Sequence, residues 1–342
     1  MQRNDIIKLA DGGGGILMDQ LIKQMISSHI WKKRVRDGVG LEELDDGASL
    51  RVGGREVVVS IDGHTVDPIF FPGGDIGRLA ISGTSNDVAM MGAKPLAIVD
   101  SIIVVEGFPM RDLEMIVSSM NETAREIGVA VIGGDFKVMP KGHLDKMVIT
   151  TAGLGIVRRG RPVLDSGARP GDQVIVTGSI GDHGISLLAA REGLSFRTSL
   201  VSDVAPIWKT VEAALSTGKV TAMKDPTRGG LASALNDIAS RSRAAIIVHE
   251  EKVPIKDGVK AASEMLGLDP FEITCEGRAV ICVDQSSAED TLAAIRGTPY
   301  GRNAAVIGEV VDLRPGYVFL ETSVGGERIL EKPIGEPIPR VC

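Results

Sequence analysis

The sequence predicts an α+β protein of two domains, and three observations carry that expectation. The chain has 342 residues, more than a single hydrophobic core usually organises. Strand-like and helix-like runs are mixed in both halves, without the strict alternation of a doubly wound parallel sheet. Between the halves lies RRGRPVLDSGARPGD, 158–172, a stretch rich in Arg, Gly and Pro that reads as a boundary. The expected organisation is an N-terminal segment with a glycine-rich loop (1–40), a first domain (41–160), a second (161–332) and a tail (333–342).

The elements follow from local pattern. EVVVSID, 56–62, is a β-branched run ending in an acid, and 75–92 has helical spacing before a strand-like run at 95–105. In 111–127, Ile116, Val117, Met120, Ala124 and Ile127 fall three, four, seven, eleven and fourteen residues after Leu113, which predicts an amphipathic helix stopped by Gly128. Strands are expected at 129–133 and 147–157. The second half predicts strands at 173–177, 244–249, 279–283, 304–311 and 317–322, with helices at 184–192, 204–217, 228–241, 257–266 and 287–296. Three prolines in the tail favour an extended, semi-stiff chain over a helix.

Composition excludes several classes. With 43% hydrophobic and 24% charged residues, neither disorder nor a fibre is indicated. A net charge of −7 and only 3% aromatics argue against a nucleic-acid surface, which needs basic excess and stacking platforms. No apolar run approaches the ~20 residues of a membrane span. The N-terminus lacks the regions of a secretion signal, so a cytoplasmic location is expected. The three cysteines, Cys275, Cys282 and Cys342, form no metal-ligand spacing and no disulfide framework. Cys282, inside AVICVD, and Cys275 are expected to pack in the core, as are Met90 and Met91.

Four short stretches share one design, an acid after an apolar run beside glycine or a small polar residue: SIDGHT (60–65), TSNDVA (84–89), IGGDFK (132–137) and MKDPTRGG (223–230). Carboxylates so placed suit Mg²⁺, which binds few protein acids and mostly phosphate oxygens. Adjacent glycines let backbone amides approach phosphates, and Lys137 and Arg228 are cations for the same oxygens. Asp62, Asp87, Asp135 and Asp225 are therefore a candidate magnesium–nucleotide constellation, although each acid alone also reads as a helix cap or turn former. Neither the P-loop pattern nor a G-x-G-x-x-G strand–helix turn is present. The run GGGG, 12–15, ahead of ILMDQLI reads equally as a lid over phosphates or as a linker.

Taken together, SIDGHTVDPIFFPGGDIG, SGTSNDVAMMGAKP, VIGGDFKV, TGSIGDHG, MKDPTRGGLASALNDIA and the terminal PRVC resemble the HypE family of hydrogenase maturation proteins. That family lies within the superfamily of aminoimidazole ribonucleotide synthetase and selenophosphate synthetase, and the resemblance runs end to end. NDVA and DPTRGG are shared across the superfamily; the Pro-Arg-Val-Cys ending singles out HypE.

The resemblance implies a PurM-like fold, a homodimer whose N-terminal sheets pair into a barrel, and ATP near that interface. It also implies a chemistry. The carbamoyltransferase HypF places a carboxamide on Cys342, ATP phosphorylates the amide oxygen, and loss of phosphate leaves a thiocyanate. The cyano group passes to iron on a HypC–HypD complex, for a nickel–iron hydrogenase. By position, Asp62, Asp87 and Asp225 match the metal-binding acids, and Asp135 and Lys137 match a nucleotide-side GGD-x-K motif. Glu276, in TCEGR, is a candidate base, and His183, in GDHG, is an alternative base or a positioning residue. This chain departs from the family's His and Ser near the N-terminal glycines, having ADGGGG at 10–15 instead.

The residue types fit that chemistry. Phosphorylation makes the amide oxygen a good leaving group, and removal of the N–H protons completes the nitrile, which calls for held phosphates, a cation and a base. An extended segment from Gly335 to Cys342 spans roughly 23 Å at ~3.3 Å per residue, enough to swing between an interior site and an external donor. Two rival enzymes fit less well: selenophosphate synthetase expects a cysteine or selenocysteine that residues 1–25 lack, and aminoimidazole ribonucleotide synthetase gives Cys342 no role. A non-catalytic carrier that binds nucleotide only for shape leaves the intact acids unexplained.

Overall fold

A computed structural model describes residues 6–158, 160–192, 200–335, 338 and 341. After helix α1 (Ile16–Leu21) and a run of short helical turns to His29, the chain enters a hairpin of β1 (Ala48–Val52) and β2 (Arg55–His64). Its two-residue turn, Gly53-Gly54, has both φ angles positive, 56° and 80°, the conformation that matches strand twist and that glycine adopts without strain. A small hairpin of β3 (Phe70–Phe71) and β4 (Gly74–Asp75) leads into α2 (Ile76–Met90). Asp75 caps α2, its Oδ1 accepting the amides of Gly77 and Arg78 at 2.7 and 2.9 Å.

Next come β5 (Ala93–Val105), α3 (Met110–Ile127), β6 (Ala130–Met139) and β7 (Met147–Val157). Gly128 ends α3 as the sequence predicts: it is left-handed, and the Val129 amide bonds back to Ala124 O at 2.9 Å. The first sheet has the order β1-β2-β7-β5-β6, with β5 and β6 parallel and the other pairs antiparallel. In register, Asp62 on β2 pairs with Thr151, Thr151 with Asp100, and Asp100 with Gly134. Helices α2 and α3 cover one face. The other face is open, and Ile61, Val99 and Leu154 stand on it 68%, 42% and 40% exposed.

The second sheet is built from β8 (Gln173–Val176), β9 (Val220–Lys224), β10 (Ala245–His249), β11 (Val280–Val283), β12 (Ala305–Val311), β13 (Val318–Glu321) and β14 (Glu327–Ile329). Its order is β14-β13-β10-β12-β8-β11-β9. Helices α4 (Asp182–Arg191), α5 (Trp208–Ser216), α6 (Gly230–Ser242), α7 (Asp257–Leu266) and α8 (Ala288–Arg296) complete the domain. Successive residues of β8 and β11 go to different cores: Val174, Val176, Val280 and Cys282 to one, Ile175, Ile281 and Val283 to the other. Burial on both faces explains why these strands read as unbroken apolar runs.

Three expectations shift. The strand expected at 129–133 continues through Asp135 and Lys137 to Met139, because parallel pairing with β5 carries it past the glycines. The helix expected at 204–217 begins only at Trp208, since Pro206 disfavours helical geometry just before it. Strands β1, β9 and β14 were not anticipated, being short and mixed in polarity.

The larger core is shared between the domains: Ile76 and Ile116 of the first join Ile175, Ile207 and Trp208 of the second. Ile338 and Val341, near the end of the tail, belong to it as well. Polar contacts reinforce this seam. Arg78 of α2 donates to Val204 O at 3.0 Å and to Tyr300 Oη at 3.1 Å. No helix among the described residues is long and apolar enough to cross a membrane.

Candidate active site

Strand alternation turns Asp62 toward the helix-covered face of the first sheet, where Thr84 of α2 donates to its Oδ2 at 2.7 Å. One turn further along α2, Asp87 Oδ2 lies 2.8 Å from Ser60 Oγ, which is also 2.9 Å from the carbonyl of Asp46. Asp225 approaches from the second domain, just past the end of β9. These acids share one field. Burial pushes Asp87 well above the usual carboxylate range, and Asp62, Asp225 and Asp46 add to it. Asp225 is pushed up to about 8 by burial first and then by Asp46, with Lys224 opposing. The structure thus brings together three of the four acids the sequence singles out, across the domain seam.

Sequence reasoning missed the other side of this cleft. Asp45 and Asp46, in LDDGASL just before β1, stand opposite Asp225, and burial, Asp165 and Asp46 raise Asp45 to about 8. Lys224 pairs with Asp46 and lies 3.7 Å from Asp165, which also pairs with Arg241. Burial opposes the Lys224 charge, but Asp46, Asp165 and Asp237 outweigh it and hold its pKa above the ordinary value. The usable signal is an acid pair before glycine and ahead of a strand.

A cavity of about 920 Å³ opens between these walls, lined by Asp46, Asp62, Asp87, Lys224, Asp225 and Arg228 among others. That volume suits a nucleotide-sized ligand. Lys33 and Arg34 of the N-terminal segment also line it. Among the described residues, no three His, Cys, Asp or Glu side chains converge closely enough to hold a metal unaided. The set still fits a hard divalent cation held jointly with phosphates and water: all donors are carboxylate oxygens, and buried Asp46 Oδ2 has no hydrogen-bond partner among the described residues. Asp62, Asp87 and Asp225 would hold it, with Asp46 beside them.

Glu276 reaches the seam from the loop before β11. Its backbone amide donates to Asp203 Oδ1 at 3.1 Å, and its carbonyl accepts from Asn86 Nδ2 at 3.2 Å. Asn86 precedes Asp87, and it also donates to Ala205 O and accepts from the Ile207 amide, at 3.0 and 2.9 Å. One amide side chain therefore pins the Glu276 loop to the helix carrying Asp87. Burial raises Glu276 well above its ordinary pKa, with Asp225 and Asp203 adding to it, and its Oε1 has no partner among the described residues.

Asp135 and Lys137 lie elsewhere. They sit on edge strand β6, three strands from Asp62, or about 14 Å at ~4.8 Å per strand. Register pairs them with Ser101 and Ile103, so they share the open face of the sheet, opposite to Asp62. Within one chain they do not join the other acids. Arg228 does, and its Nη1 donates to Gly12 O at 3.2 Å.

The glycine run packs rather than hangs. The α1 amides of Ile16 and Leu17 bond to the carbonyls of Pro333 and Ile334, and Lys332 Nζ bridges Asp19 and Asp237 at 2.8 and 2.7 Å. At Gly15 a Cβ would meet Pro333 O at 2.3 Å, so glycine is what lets the tail root cap α1. Cys275 and Cys282 are fully buried, as are Met90 and Met91. Cys342 lies outside the described residues.

The fold and the acid-lined cleft define an AIR synthase related protein. The N-terminal domain of that family matches residues 44–157 and its C-terminal domain residues 169–321. The carbamoyl dehydratase HypE of Rhizobium leguminosarum bv. viciae is 44% identical over 341 residues, 99% of this chain and 96% of that protein. A crystal structure of a HypE–HypF complex superposes with a TM-score of 0.85 at 40% identity, covering 92% of this chain and 99% of that one. HypE in complex with ATP gives 0.82 at 40% identity, covering 98% and 100%. The chain belongs to the HypE family.

Proposed function

We propose that this chain is an ATP-dependent carbamoyl dehydratase that converts an S-carboxamide on its own Cys342 to a thiocyanate, the source of a cyanide ligand for hydrogenase iron. One observation carries the reading. Val341, one residue before Cys342, is buried at 1% exposure in the core shared by the two domains, and the acid-lined cavity lies between those domains.

The carboxamide oxygen takes the γ-phosphoryl group of ATP as one N–H proton leaves. Phosphate then departs with that oxygen as the second N–H proton is removed, so the carboxamide and ATP become thiocyanate, ADP and phosphate. Arg228 and Lys224 supply positive charge at the cavity wall. Glu276 is the proposed base, its loop fixed by Asn86 and Asp203. Asp62, Asp87 and Asp225 would hold Mg²⁺, which would supply positive charge against the phosphates of ATP.

Asp135 and Lys137 enter this scheme only through a homodimer. The open, apolar face of the first sheet is the surface a second copy would cover, and a partner approaching there would bring its own Asp135 and Lys137 toward the cavity. We infer further that HypF loads Cys342, that a HypC–HypD complex accepts the cyano group, and that the work takes place in the cytoplasm. The test is phosphate release from ATP by HypF-loaded protein: Cys342→Ala should abolish loading-dependent release, and unchanged release would overturn the assignment.

A further inference from the structure

His183, in the first turn of α4, is fully buried, and each ring nitrogen has one partner. Nε2 is 2.6 Å from the carbonyl oxygen of Val341, and Nδ1 is 2.7 Å from Ser202 Oγ. A carbonyl only accepts, so Nε2 carries the proton and Nδ1 accepts the Ser202 hydroxyl. Ser202 Oγ is itself oriented by the Val204 amide, which donates to it at 3.0 Å. A directed chain of hydrogen bonds thus runs from the Val204 backbone to the last described residue of the tail.

Packing fixes the same arrangement. Phe71 meets the imidazole edge-on, ring centroids 5.5 Å apart. Beside His183, a Cβ on Gly184 would meet Ile273 Cγ2 at 2.5 Å and Ile338 Cδ1 at 3.2 Å, so this glycine makes room for the tail. Ser202 is followed by Asp203, the acceptor for the Glu276 amide. The supports of His183 and of Glu276 are therefore adjacent residues.

We propose that His183 is a positioning residue that receives the Val341 carbonyl and so fixes the tail, one residue before Cys342, next to the support of the Glu276 loop. Its purpose rests on the tail chemistry proposed above, but the contact and its test do not. Acting as a base would require a nitrogen open to the substrate, and both are occupied. Burial also holds the ring neutral, its pKa lowered to about 4.

Thiol alkylation reads the seat directly. Cys275 and Cys282 are fully buried, so iodoacetamide added to the native protein reports on Cys342 alone. His183→Ala should speed alkylation about tenfold or more, and His183→Gln, whose amide can still donate to the carbonyl, should recover part of the protection. In turnover, kcat for dehydration should fall with the KM for ATP unchanged. Alkylation of all three cysteines would mark an unfolded variant, and Ser202→Ala, which removes the hydroxyl partner of Nδ1 and leaves the imidazole in place, then decides. Wild-type protection in the folded variants would overturn the proposal. A wild-type protein that is protected yet never dehydrates its carboxamide would instead sink the proposed function.

Discussion

Glu276 and Asn86 show how little of the site's logic lies in any one side chain. Burial and the neighbouring acids raise the pKa of Glu276, and its loop is held by backbone bonds to Asn86 and Asp203. Glu276→Gln preserves shape and removes the base, so dehydration should fall by about 10²–10⁴-fold while ATP binding persists. Single-turnover kinetics alongside nucleotide titration would show the split. Asn86→Ala strands the buried carbonyls of Ala205 and Glu276 and the amide of Ile207. A loss of ~1–3 kcal/mol for each stranded group is expected in denaturant titration. Asp62, Asp87 and Asp225 were legible because each falls in a short stretch that sets an acid among glycine or small polar residues. Asp46 and Lys224 were not assigned, because their significance is a pairing between the loop before β1 and the end of β9, remote in sequence.

Among elements, α1 and β6 were hardest to read, for opposite reasons. The glycines before α1 suggested mobility, yet they are a close-packing device that brings the carbonyls of Pro333 and Ile334 onto the helix amides. Gly15→Ala should clash with the tail root, and hydrogen exchange at Ile16 and Leu17 should then quicken by tenfold or more. β6 looked short because of Gly133-Gly134. A Cβ on Gly134 would meet Asp100 Oδ1 at 2.4 Å and push that side chain aside, and the strand runs on to carry Asp135 and Lys137. By contrast, α3 was legible to its last residue: its apolar spacing and its glycine stop are local signals that tertiary packing reinforces.

At the scale of the molecule, the two-domain α+β architecture followed from length and pattern, whereas the shared core and the site at the seam needed coordinates. Helices cover one face of the first sheet and leave the other apolar. A charge placed there should oppose pairing of two copies. In the proposed dimer, Leu154→Glu is expected to yield a folded monomer by analytical ultracentrifugation, and dehydration should fall with it if Asp135 and Lys137 act across the pair. The central claim is chemical: the chain dehydrates a group carried on its own last residue. Its most direct test is the mass of the C-terminal peptide after incubation with HypF and its carbamoyl donor, before and after ATP and Mg²⁺ are added. Gain of one carboxamide on Cys342, followed by ATP-dependent loss of one water, is the predicted result; a carboxamide that persists with ATP present would contradict it.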